Sequence, residues 1–132
     1  MPKIEKKDIS PRVRVVQKIY GSMMNPDEEI SYPKSQFKKF IKDVTEGTLE
    51  RREFIEETLV KYLENDLNLK KTDKILKIII FAAVFELLYK HNTPIKVIIS
   101  EYIKTSEFFL EQSQIKYVNA ILDKLSKQLR KH

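Results

Sequence analysis

From Ile75 to Phe85 every residue is apolar except Lys77. Thr72 or Asp73 supplies a cap just upstream, and the pattern continues to about Lys90, where His91-Asn92 ends it. The run falls short of the roughly 18 apolar residues that span a bilayer. A helix that is apolar almost all round belongs at the centre of a soluble core. Such a helix has to be covered on every side, so the rest of the chain must supply a shell of amphipathic elements.

That shell is legible as further helices. Ser10-Pro11 is a cap followed by proline at the first helical position, where a missing N–H costs nothing. Val13, Val16, Ile19, Tyr20 and Met23 follow at helical spacing until Asn25-Pro26. Residues 25–33 are polar, carry Pro26 and Pro33, and form a loop. From about Ser35 to Glu64, Phe37, Phe40, Ile41, Val44, Thr48, Ile55, Leu59, Tyr62 and Leu63 fall near one stripe. Gly47 interrupts it at a cost of about 1 kcal/mol relative to alanine, marking a bend or a close helix crossing. The pattern leaves open one long helix or two shorter ones. Asn65 to Lys71 is a connection. Thr93-Pro94 repeats the cap-then-proline start for a helix to about Phe108. Ile95 to Ile99 alone is β-branched enough for a strand, but Val97, Ile98, Tyr102 and Ile103 keep helical spacing. A last helix from about Gln112 buries Ile115, Val118, Ile121, Leu122, Leu125 and Leu129.

Composition narrows the function. The 132 residues suit one domain able to bury a core without disulfides, and 42% hydrophobic content excludes disorder. There is no cysteine, so thiolate metal sites and disulfides are out. Gly21 and Gly47 are the only glycines, too few for phosphate-cradling loops or an all-β fold. Of the two histidines, His132 is terminal and His91 stands at a helix end, where its ordinary role is to face the negative end of the dipole. Glu53, Glu56 and Glu57, with Lys61 one turn on, make a solvated ion-pairing face rather than a metal site. Neither an enzyme active site nor a cofactor is expected. The polar stretch Met1 to Ser10 lacks the apolar core of a secretory signal, so a cytoplasmic location is expected.

The net charge of +6 is concentrated at the ends: residues 1–25 and 116–132 each sum to +4 and the middle to −2. If the ends meet in space they form one cationic patch suited to phosphates; otherwise they are solvated tails. Tyr20 and Tyr117 lie among these cations, either to stack on unpaired bases or simply to edge the core.

The run Lys116-Tyr117-Val118-Asn119-Ala120-Ile121-Leu122-Asp123 is similar to a lysine-aromatic-Val-Asn-small-aliphatic-Leu-Asp signature. Pro94 to Glu101 is similar to Pro-x-x-Val-Ala-Ile-Asn-Glu, and Phe85-Glu86-Leu87-Leu88 to Tyr-Glu-Leu-Leu. Arg12 with Val16-Gln17-Lys18-Ile19-Tyr20 looks like an Arg-x-x-Ala-hydrophobic-Gln-Ala-Leu-Tyr opening. Together, in this order, the segments resemble the NusB family of bacterial transcription antitermination factors, most weakly over 21–72.

The resemblance implies an all-α fold, a compact bundle of six to seven helices in two packed sub-bundles, as one domain over 1–132 with a basic arm at 1–9. It implies binding of boxA-type RNA in nascent ribosomal transcripts, jointly with ribosomal protein S10 (NusE), within an RNA polymerase antitermination complex. It admits both monomers and homodimers. The RNA contacts it implies map onto Lys3, Lys6, Lys7, Arg12, Tyr20, Lys116 and Tyr117, to which Arg14, a departure from the family pattern, adds an expected phosphate contact; the protein-partner contacts map onto Tyr20, Met24, Leu76 and Phe81. The alternative is a helical protein-interaction adaptor with incidental RNA binding, because the lysines of the arm are diluted by Glu5 and Asp8. RNA methyltransferases that carry a domain of this fold also have a glycine-rich cofactor domain, for which this sequence has no counterpart. Phe81 stands where the family commonly has arginine, Ser100 where it has asparagine, and Arg14 where it has a small or apolar residue.

Overall fold

The computed structural model describes residues 10–63 and 72–130. The expected basic arm at 1–9 and the whole of the connection at 65–71 lie outside them. The described residues form six helices and no strand: α1 (Pro11–Met24), α2 (Lys38–Glu50), α3 (Arg52–Leu63), α4 (Lys74–Tyr89), α5 (Ile95–Phe109) and α6 (Gln112–Leu129).

The apolar helix is central, as its composition requires. Eleven consecutive or near-consecutive residues of α4, from Leu76 to Leu87, are buried, and all five other helices pack against it. Asp73, not Thr72, is its cap, accepting from the Leu76 N–H at 3.0 Å. The α1–α3 group and the α5–α6 pair share α4, and α1 also touches α5, which closes the two groups into one core.

The long stripe over 35–64 resolves into two helices. The break falls at Arg51, whose N–H bonds to the Gly47 carbonyl at 3.1 Å while its guanidinium lies 4.6 Å from the Tyr89 ring of α4. Gly47 marks the close crossing instead of the bend. A Cβ there would come within 2.2 Å of Phe85 Cζ, so α2 and α4 approach to a distance only glycine allows.

Helices α1 and α2 run in the same direction. Arg12, at the start of α1, lies 4.8 Å from the Phe40 ring at the start of α2. Ile19 and Met23, near the other end of α1, share a cleft with Thr48 and Leu49 near the other end of α2. Residues 25–37 are the return that this arrangement needs, and Phe37, counted above on the apolar stripe, is left exposed at their end.

The β-branched run after Pro94 is helical. Pro94 itself is the cap residue of α5, not its first helical residue, because Thr93 is held in a turn by the bond from its N–H to the Lys90 carbonyl at 3.0 Å. α6 begins with a reciprocal capping box between Glu111 and Gln114.

Candidate functional site

Arg12 is a core residue. It is 9% exposed, and its guanidinium makes a two-pronged ion pair with Glu86 of α4: Nε donates to Oε2 at 2.9 Å and Nη2 to Oε1 at 2.7 Å. Glu86 is fully buried, and the hydroxyl of the equally buried Tyr102 on α5 donates to its Oε2. Burial first, and the Glu86 carboxylate second, push the Tyr102 phenol well above its ordinary range, so it stays a neutral donor. One carboxylate thus receives three hydrogen bonds and ties α1, α4 and α5 together. A carboxylate enclosed in a helix this apolar needs a cation, and Arg12 supplies it. The expectation that Arg12 meets phosphate is corrected accordingly: its fork is committed to Glu86 inside the fold.

A second cation is also structural. Arg130, just past the end of α6, donates to the carbonyls of Glu86, Leu87, Lys90 and Thr93 at 2.6–3.1 Å. It supplies a donor to the Leu87 carbonyl in the last turn of α4, adds second donors to those of Glu86 and Lys90, and faces the negative end of the helix dipole. That is the role expected above of His91, which is exposed.

The remaining expected residues divide as follows. Lys3, Lys6 and Lys7 lie outside the described residues. Arg14 is half-buried on α1, and Tyr20 is 39% exposed one and a half turns further along. Lys116 is exposed on α6, whereas Tyr117 is half-buried and packs against the core. Of the expected partner contacts, Met24 is exposed at the end of α1, but Leu76 is 4% exposed and belongs to the core. Leu76 is therefore corrected to a packing residue, since the face of α4 that carries it is covered. Phe81 is equally buried, yet it floors a cleft of about 380 Å³ that opens between α1, α2, α3 and the first half of α4. Met23, Leu49, Arg52 and Lys77 form part of its walls, and the buried Thr48 hydroxyl in it has no hydrogen-bond partner among the described residues.

Among the described residues no three His, Asp or Glu side chains gather as metal ligands, and no helix is long and apolar enough to cross a membrane. What the arrangement offers is a rigid helical body with exposed cations, exposed aromatics and an apolar cleft with a basic rim. The structural roles of Glu86, the buried partner of Arg12, and of Arg130, at the end of α4, were each missed. The signal available was the single carboxylate inside the apolar run of α4.

The model of the NusB family matches residues 8–127. A protein of Mesorhizobium japonicum named Transcription antitermination protein NusB is 32% identical over 92 residues, which is 70% of this chain and 59% of the relative. One of the same name from Bartonella henselae is 32% identical over 99 residues, 75% of this chain and 62% of the relative. The chain thus spans about three fifths of the length of these relatives. The solved structure of T. maritima NusB superposes with a TM-score of 0.76 at 23% identity, covering 89% of this chain and 90% of that one, and establishes the shared fold.

Proposed function

We propose, because this chain belongs to the NusB family, that it is a transcription antitermination factor that binds boxA-type RNA of nascent ribosomal transcripts together with ribosomal protein S10. The observation that carries this reading is the family match over 8–127, nearly the whole chain. It acts in the cytoplasm as part of an RNA polymerase complex, without catalysis of its own. Exposed Lys116 and half-buried Arg14 supply salt-sensitive affinity, joined by Lys3, Lys6 and Lys7. Tyr20 and Tyr117 contribute aromatic faces near them. S10 docks beside Tyr20 and Met24, over the cleft floored by Phe81.

Arg12 stands outside this set, and its internal ion pair is the one observation favouring a protein-binding adaptor, since it removes a cation from the basic end. Titration of a boxA-type RNA with and without S10 separates the two. Joint binding should be tighter than either partner alone, whereas an adaptor binds S10 with no gain from RNA. Lys6→Ala, Lys7→Ala and Lys116→Ala combined should weaken RNA binding and lower the slope of log affinity against log salt by about 0.7 per lost phosphate contact. An unchanged slope removes these lysines from the RNA surface.

A further inference from the structure

A second groove, of about 440 Å³, lies where α1 and α2 begin. Arg14 and Lys18 line it from α1, Tyr32, Lys34 and Phe37 from the segment that leads into α2, and Lys38 from the start of α2 itself. No carboxylate lines it, and among the described residues none of its four cations is in an ion pair.

Two features make it a place for an anion. Because α1 and α2 run parallel, the positive ends of both helix dipoles meet at this groove, and Pro11, the first residue of α1, is part of its wall. Neither helix has an acidic residue in its first turn, no side chain caps α2, and α2 opens on Lys38-Lys39. Lysines at a positive dipole end disfavour the helix they start, so this end of the molecule carries an uncompensated field that a bound anion would relieve.

The groove is also aromatic. Phe37 is 45% exposed beside Lys38, against the stripe that would place it in the core, and the Lys18 ammonium lies 6.0 Å from the Tyr32 ring. Cations beside an open aromatic face suit a single-stranded nucleic acid, whose phosphates take the charge and whose bases stack. An acidic peptide would use the cations and leave the ring uncovered.

We propose that this groove seats a nucleotide step of single-stranded RNA, with a base stacked on Phe37 and the flanking phosphates held by Arg14, Lys18, Lys34 and Lys38. The inference rests on the RNA-binding reading above and extends it from Arg14 to Lys18, Lys34, Phe37 and Lys38, which that reading does not contain.

The test is fluorescence anisotropy of the full chain with a short labelled boxA-type RNA, across a salt series from about 50 to 200 mM. Phe37→Ala should weaken binding about tenfold, and Phe37→Trp should restore it, because stacking needs only a ring. Lys34→Ala with Lys38→Ala should lower the salt slope by about 1.4, at about 0.7 for each phosphate contact to a single strand. If the unaltered chain binds RNA and these variants match it in affinity and slope, the groove is not an RNA site, and the broader reading survives. If the unaltered chain binds no RNA even at about 50 mM salt, with or without S10, both readings fall. If the variants lose binding of poly-glutamate but keep that of RNA, the groove belongs to an acidic polypeptide and the proposal is overturned.

Discussion

Residue 12 shows how far a charge can be from where its neighbours in sequence suggest. Its side chain pairs with a carboxylate 74 positions away, and no local pattern links the two. Counted along the chain, Arg12 belongs with the basic end; in the fold it neutralises Glu86. The family likeness included both residues and still pointed Arg12 outward, because a motif records identity and not direction. Arg12→Ala should therefore destabilise the fold by about 3–5 kcal/mol, since it strands a buried carboxylate. Arg12→Met combined with Glu86→Leu and Tyr102→Phe should recover most of that loss, because it removes the buried carboxylate together with its cation and its hydroxyl donor and leaves no polar group unpaired. Urea unfolding of Arg12→Ala and of the combined variant measures this. A mild Arg12→Ala effect, below about 1 kcal/mol, would mean that water or another cation reaches Glu86.

At the scale of elements, the two glycines make a matched pair. Gly21 lies on an exposed part of α1 with open space where a Cβ would stand, and Gly47 faces the Phe85 ring. Gly21→Ala should stabilise by about 0.5–1 kcal/mol through helix propensity. Gly47→Ala gains the same propensity but forces a buried ring aside, and should be net destabilising by about 1–2 kcal/mol. Thermal or urea unfolding checks the sign of each, and equal signs would show that the α2–α4 crossing is looser than described. Most elements were legible beforehand: the helical spacing, the Ser10 cap and the central place of α4 all follow from periodicity. The split at Arg51 was not, because the stripe continues in phase across it and the packing of Arg51 against the Phe85 and Tyr89 rings of α4 leaves no trace in local spacing. Exposed Phe37 was miscounted for a related reason: spacing gives the face of a helix but not where that helix starts.

For the whole molecule, the residue that closes the fold is the one just past α6. Arg130 presents a rigid fork to four carbonyls around the end of α4, and a single lysine ammonium cannot reach them with the same geometry. Arg130→Ala should cost about 2–3 kcal/mol, and Arg130→Lys should restore only part of it, read from unfolding midpoints. Of the functional surface, the sequence disclosed the cations and aromatics but not their grouping, since the parallel course of α1 and α2 that unites Arg14 and Lys18 with Lys34 and Lys38 exists only once residues 25–37 fold back. The burial of α4 has a consequence for how such a chain is made. Its shell is built from helices on both sides of it in the chain, so a polypeptide that has emerged from the ribosome as far as Tyr89 still holds its greasiest segment half naked. Lasting structure has to wait until α5 and α6 are synthesised, and until then that segment is the part most in need of a chaperone.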